Sequence, residues 1–310
     1  MGGYSNTNFL PERRIVGLAL DLDGSLFNFP YLGIETFTGN LAKFDVFGTR
    51  LYVRPLLGLE LPILKDLQVG ATFAMDSNPN ALKTFVDPDA TPKAVSMFGF
   101  DFKQPVLSSD LFSLAVFGDA DFQPASGSKA NTAAGGLLGF GGKLIGFMNY
   151  GLNALFLGDN FVPFYFDSTY DLYREAKYEM FNGDIPIPGY TGWLASLGFS
   201  FLDDKLSFNT SLDGSFTVNQ NVDSTYPHLK AVVTVGKDII PGVFFDASYD
   251  KRYIKSFADL ISPYNAVIGA NINYQTGPAV ITLGYNLRYE AASVPQWETT
   301  AKLSTSISLF

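Results

Sequence analysis

From Ala266 to Tyr274 every second residue is apolar (Ala266, Ile268, Ala270, Ile272, Tyr274), with Gly269, Asn271, Asn273 and Gln275 in the alternate positions. Side chains of an extended chain point alternately to two faces, so this run is a predicted strand with one oily and one polar face. Gln275-Thr276-Gly277-Pro278 supplies turn chemistry, and Ile281, Leu283, Tyr285, Leu287 and Tyr289 then alternate with Thr282, Gly284, Asn286, Arg288 and Glu290. A hairpin follows. The final run keeps the period, with Thr299, Ala301, Leu303, Thr305, Ile307 and Leu309 against Thr300, Lys302, Ser304, Ser306 and Ser308. Three successive two-faced strands exclude a helical fold here and demand something for the oily faces to meet.

That something is either a protein core or lipid, and alternation alone fits both. Composition separates them: 47% of the chain is apolar and only 16% charged, with 29 Phe and 16 Tyr. No window reaches the roughly 18 uncharged apolar residues that a membrane helix needs. The remaining fold that satisfies its backbone in lipid is a closed barrel. The expected fold is all-β, a closed antiparallel transmembrane β-barrel.

Read backward from the C-terminus, the candidate strands are 296–310, 279–290, 263–275, 241–252, 227–237, 205–217, 191–202, 146–158, 133–143, 108–120, 93–103, 65–76, 44–55 and 31–38, about 14 strands in all. Short connectors (Gln275–Pro278, Asp238–Pro241, Leu202–Asp204, Pro105–Ser109, Gly58–Leu64) alternate with longer, polar ones, as short periplasmic turns and longer extracellular loops would. No linker divides the chain, so residues 31–310 are expected to form one barrel. Residues 1–30 form an N-terminal segment in which Arg14–Asp23 alternates well. It is a lumen plug, a periplasmic strand or an extra strand. Met1 to Ser5 begins no signal peptide, so an exported protein would carry its leader outside this sequence.

Two segments depart from a bare barrel. Gly135 to Leu157 is glycine-rich and is read as two strands around an unusually apolar turn, Lys143–Phe147. The Asn160–Tyr190 connector exceeds the roughly 12–15 residues usual for a structureless loop. Its aromatic residues and the helical spacing of Tyr170–Met180 point to an ordered element. Phe161, Phe164, Phe166, Tyr170, Tyr173 and Arg174 are candidates for a constriction folded into the lumen or for an outer cap.

The charge balance, 21 Lys and Arg against 30 Asp and Glu, disfavours nucleic acid, which needs clustered cations. With no Cys and a single histidine, His228, thiolate metal sites and histidine clusters are excluded. No cofactor is expected and the chain is not read as an enzyme. Leu20-Asp21-Leu22-Asp23-Gly24-Ser25-Leu26 resembles the first motif of haloacid-dehalogenase-type phosphatases, and Phe117-Gly118-Asp119-Ala120-Asp121 their magnesium-binding carboxylates. That family's scaffold alternates strands with helices, whereas here the first motif reads as a strand ending in a polar turn. Gly139-Phe140-Gly141-Gly142-Lys143-Leu144 resembles a phosphate loop, yet it has Leu144 where Ser or Thr would bind magnesium. Asn209-Thr210-Ser211 matches a glycosylation acceptor but lies within a strand, and His228 reads as a strand-end residue with no special task.

A charge facing lipid near the midplane costs about 2–4 kcal/mol for Arg or Lys, so strand charges should point inward. Phase agrees: Arg50, Tyr52 and Arg54 oppose Phe47, Leu51 and Val53, and Asp101 opposes Phe98, Phe100 and Phe102. Lys205 and Asp213 oppose Leu206, Phe208 and Leu212, while Asp246 and Asp250 oppose Phe245 and Tyr249. Glu35, Asp119, Lys143, Lys230, Asn271, Asn273, Arg288 and Lys302 complete the candidate lumen lining. Such a lining is either a wet pore or an ion-pair network that seals the interior.

Across residues 31–310 the chain resembles bacterial outer-membrane β-barrel proteins, in which a terminal Phe, here Phe310, marks the chain for the barrel-assembly machinery. The strand count is similar to that of fourteen-stranded FadL-like transporters, with Arg14–Pro30 in the place of their plug, and Leu51-Tyr52-Val53-Arg54-Pro55 resembles spirochaete outer-membrane proteins. The resemblance implies an outer-membrane location and contact with outer-membrane lipid. The expected function is passive passage of small solutes through a polar, mixed-charge lumen. Alternatives are FadL-like uptake of hydrophobic compounds through a plugged barrel, and a non-transporting structural or adhesive barrel docked to other envelope components.

Overall fold

The computed structural model describes residues 18–38, 45–59, 61–79, 93–166, 170–203, 205–220, 223–277, 279–290 and 296–307. Among these residues the chain is all-β. Its strands are β1 (Leu18–Asp23), β2 (Leu32–Thr38), β3 (Val46–Val53), β4 (Gln68–Asp76), β5 (Val95–Ser108), β6 (Ser113–Gln123), β7 (Ala133–Leu144), β8 (Met148–Leu157), β9 (Tyr190–Phe201), β10 (Leu206–Ser215), β11 (His228–Ile240), β12 (Val243–Lys251), β13 (Ala266–Thr276), β14 (Ala279–Glu290) and β15 (Gln296–Ile307). They form one sheet in which each strand neighbours the next in sequence, from β1 to β15. The α-helix described, α1, spans Tyr170–Asn182. No described helix is long and apolar enough to cross a membrane. A sheet of this kind is compatible with a β-barrel. Among the described residues no ladder joins β15 to β1.

β2 to β15 match the fourteen expected strands within a few residues, and β1 adds a fifteenth among the described residues. Leu18 to Asp23 pair antiparallel with Thr38 to Gly33, so this part of the N-terminal segment is a strand, while residues 1–17 lie outside the described residues. Phe310 lies outside them as well. The largest boundary correction falls at Pro105, read from the sequence as a turn. β5 runs through it to Ser108, and β6 starts only at Ser113. Between β3 and β4 the connector is also longer than expected, beginning at Arg54 directly after Val53.

The chain forms two compact units. The first comprises residues 1–108, 114–140 and 154–191. In it Tyr52 pairs with Gly70 and Gly70 with Asp101; the rows Arg50, Thr72, Gly99 and Val46, Asp76, Val95 follow the same ladders. Every member of these rows lies on one face, and that face is covered: Arg50 is 3% exposed and Asp101 4%. The alternate residues Leu51, Phe73, Phe98 and Phe100 lie on the other face, where Phe100 is 56% exposed. Alternation has therefore put the charges inside and the aromatic rings outside, the reverse of a water-facing sheet.

The second unit comprises residues 109–113, 141–153 and 192–310. Its ladders line up Ser211, Lys230, Asp250, Val267, Arg288 and Glu298 across β10 to β15 in one row. The next row holds Asn209, Val232, Ser248, Gly269, Asn286 and Thr300. Phe208, Ile268, Ile272, Leu283 and Tyr285 are exposed on the alternate face. Polar-face groups are accessible too, Asn209, Asn286 and Arg288 being exposed.

The glycine-rich segment is two strands, as expected, joined by a tight turn in which Ile145 (φ 55) and Gly146 (φ 72) are both left-handed. The β9–β10 turn repeats this with Leu202 and Asp203, both at φ 56. Left-handed turn positions of this kind favour Gly, Asn or Asp. An L side chain in that region costs roughly 1–2 kcal/mol, so Ile145 and Leu202 are unusual occupants.

Candidate functional site: a polar sheet face and its helical insert

In the first unit the polar face divides into two zones. Toward the β1–β2 turn it holds ion pairs. Arg50 Nε and Nη2 donate to the two carboxylate oxygens of Asp101 at 2.8 and 2.6 Å, and Nη1 donates to Glu35 Oε1 at 3.0 Å. A forked guanidinium matched to a carboxylate is the strongest arrangement of this kind. Gly70 makes room for it, since a Cβ there would stand 2.5 Å from Asp101 Oδ2 and 2.9 Å from Arg50 Nε. Tyr52 lies between two guanidinium groups, 4.9 Å from Arg50 and 5.3 Å from Arg54, and donates its hydroxyl proton to Asp23 Oδ2 at 3.1 Å. Arg54 pairs with the same carboxylate and donates to Pro30 O at 2.7 Å. Asp21 and Asp23, the carboxylates that resemble a phosphatase motif, belong to β1, and Asp23 caps the following 3-10 turn by accepting from Ser25 N at 2.9 Å.

The other zone is apolar and receives the long connector. Val46, Ala74, Val95 and Met97 pack with Val162, Tyr165, Phe166, Tyr170 and Phe181 in one buried cluster. The connector therefore returns onto the polar face of its own unit's sheet. Phe161 is buried against β7, where a Cβ at Gly135 would stand 2.4 Å from its ring, which accounts for glycine there. Gln123 clasps Val162 in both directions, its amide donating to the Val162 carbonyl at 2.7 Å and accepting from Val162 N at 2.9 Å.

α1 is anchored by charge. Arg174 Nε and Nη2 donate to Asp76 at 2.7 and 2.6 Å, and Nη2 also donates to Asp45 Oδ2 at 2.9 Å. Tyr170 donates its hydroxyl proton to Asp76 Oδ2, and burial holds this phenol far above its ordinary range. Lys177 Nζ donates to the carbonyls of Phe164 and Tyr165 at 3.0 and 2.8 Å. Of the connector candidates, Phe161, Phe166, Tyr170 and Arg174 come together in this insert, Phe164 is exposed, and the Tyr173 side chain lies outside the described residues. Asp45, Asp76, Gln123 and Lys129 are members that sequence reasoning missed. Lys129, in the β6–β7 connector, is buried with its Nζ 4.0 Å from the Phe181 ring centre.

In the second unit the polar face is less densely tied. Asn271 donates to Asp246 Oδ2 at 2.9 Å, and Thr282 donates to Asn273 Oδ1 at 2.6 Å. Lys230 and Asp250 are cross-strand partners, as are Arg288 and Glu298. His228, expected to have no special task, lies between two carboxylates: Nδ1 is 3.2 Å from Asp213 Oδ1 and Nε2 is 2.9 Å from Asp250 Oδ1. Carboxylates only accept, so only the doubly protonated ring satisfies both contacts. Lys205 precedes β10, and Lys143 and Lys302 are exposed on β7 and β15. Asp119 on β6 accepts from Leu137 N at 2.9 Å, which makes it a ladder-supporting group.

No group of three or more His, Asp or Glu suited to a metal ion is present among the described residues. No protein-family model matches this chain, and no curated protein matches it either.

Proposed function

We propose that the chain is an outer-membrane channel, a closed barrel whose polar, mixed-charge interior passes small solutes passively while α1 and its aromatic partners narrow part of it. The observation that carries this reading is the contrast between faces in the second unit. Ile272, Leu283 and Tyr285 stand exposed on one face, where nothing but an apolar medium would reward them. On the other face Asn209, Asn286 and Arg288 remain accessible instead of being packed away. A lining of amides, hydroxyls and paired charges suits hydrated solutes. Glu35, Arg50, Asp101 and the Arg174 anchor would then be ordered parts of the wall and its insert.

The test is electrical. Purified full-length chain reconstituted into planar bilayers is expected to give stepwise open-channel currents. Silence from protein shown to be inserted would overturn the channel and leave the anchoring alternative. A second reading, similar to FadL-like transporters, is favoured by the buried aromatic cluster of Tyr165, Phe166, Tyr170 and Phe181, an insert packed on the polar face as a plugged barrel would require. It predicts little current together with saturable uptake of a hydrophobic fluorophore into proteoliposomes.

A further inference from the structure

At one end of the second unit three hairpin turns carry large apolar residues at their tips. Leu111, between β5 and β6, is 67% exposed; Ile145, between β7 and β8, and Leu202, between β9 and β10, are each 64% exposed. The tips are structurally joined. Gly146 N donates to Leu111 O at 3.2 Å, Ser200 N donates to Phe147 O at 2.8 Å, and the Phe147 and Phe201 rings stack with centres 5.3 Å apart. Ile145 and Leu202 hold left-handed backbone that their side chains disfavour, at positions where Asn or Gly would suit both the turn and water. An exposed apolar side chain in an unfavourable conformation gains nothing in water. It gains if its surroundings are apolar.

The apolar surface is also continuous. Phe147 and Phe201, themselves exposed, carry the oily strand face directly into the tips. Asp110 and Asp203, adjoining two of the tips, keep a carboxylate within reach of water, the amphipathic arrangement of a group at a bilayer boundary. The first unit shows the same tendency independently. Phe27 is 75% exposed in the β1–β2 turn, beside exposed Leu26 and Phe29, and Leu59, Ile63 and Leu64 are exposed in the β3–β4 connector.

We infer that these turns lie in the membrane, their apolar tips set among lipid at the boundary between headgroups and acyl chains, and not in the aqueous space expected for the short turns of such a barrel. The inference rests on the bilayer reading proposed above. It assigns the turn end a lipid contact that fixes how deep the sheet sits.

The chain contains no cysteine, so a nitroxide on one introduced cysteine reports one position. Full-length Leu111→Cys, Ile145→Cys, Leu202→Cys and Phe27→Cys would be labelled and reconstituted in phosphatidylethanolamine–phosphatidylglycerol vesicles. Phe100→Cys serves as the strand-face reference and Lys255→Cys as the aqueous one. Collision with oxygen, which concentrates in lipid, is compared with collision with a water-soluble nickel chelate. The tip labels are expected to give an oxygen-to-nickel ratio severalfold above that at Lys255→Cys and approaching that at Phe100→Cys. A ratio matching Lys255→Cys, with Phe100→Cys still oxygen-rich, overturns the inference and leaves the bilayer reading intact. Tips shielded from both reagents would mean a protein covers them, which also overturns it. A nickel-rich Phe100→Cys removes the bilayer reading itself.

Discussion

Arg174 on α1 and Asp76 at the end of β4, 98 residues apart, meet through two parallel hydrogen bonds of 2.7 and 2.6 Å. The Asp76 side chain has no solvent exposure and Arg174 has 15%. Removing one member of such a pair strands the other, at a cost of about 3–5 kcal/mol. Arg174→Ala is therefore expected to release α1 from the sheet face, read as loss of amide-exchange protection over residues 174–182. If α1 narrows a pore, the same variant raises single-channel conductance. Arg174→Lys restores charge but not the fork, and should recover only part of the protection.

The Arg50–Asp101 pair is expected to behave as structure. With side chains 4% and 0% exposed, Arg50→Met should leave an uncompensated carboxylate and lower unfolding stability in detergent by about 3–5 kcal/mol. The double variant Arg50→Met with Asp101→Leu should regain most of that loss, because two apolar residues of similar volume replace two buried charges. Urea midpoints of the four proteins in the cycle provide the check. Gly70→Ala would test the same site by crowding, since its new methyl would meet both charged groups.

These pairs show where sequence legibility ends. Strand phase was readable because an oily face tolerates no charge: Ala279–Glu290 was expected and found with the same bounds, and Arg50 and Asp101 fell on the covered face. Turn chemistry was less readable. Pro105 looked like a breaker but sits within β5, and the tight turn at Ile145-Gly146 has an apolar residue where Asn or Asp is usual. Long-range partners were not readable at all. Nothing local to Arg174 points to Asp45 or Asp76, and the His228 contacts depend on registers that set Asp213 directly opposite it on one neighbouring strand and Asp250, the partner of Lys230, diagonal to it on the other.

His228 is the chain's single histidine, so its ring signals need no assignment. With both nitrogens facing carboxylates, the imidazolium is the form that fits. In protein carrying nitrogen-15 histidine, at pH 7 in micelles, where an imidazole of ordinary pKa about 6.5 is mostly neutral, both ring nitrogens are expected to be protonated. Asp250→Asn combined with Asp213→Asn should abolish that preference and return the ring to ordinary solution behaviour. A ring mostly neutral at pH 7 in the unmodified chain would contradict the two-carboxylate clamp.

Lys129 gives the clearest pH dependence, because it lies in a connector and its burial pushes the amine down from 10.5 to about 8. The Phe181 ring 4.0 Å away attracts the cation, yet desolvation outweighs that attraction. The unfolded chain therefore binds more protons than the folded one between about pH 8 and pH 10.5, so stability attributable to this residue rises with pH across that window. Below it the burial cost is present in full. Lys129→Met keeps the packing on Phe181 and removes the charge, so at pH 7 it should stabilise the protein by about 1 kcal/mol, a buried-charge penalty reduced by the lost cation–π contact. The gain should shrink as pH rises through the window, measured as the difference in urea midpoint between the two proteins at pH 7, 8.5 and 10. A gain that stays constant with pH would mean the folded amine binds its proton as the unfolded one does, with no downward shift, and a loss at pH 7 would mean the ring contact dominates.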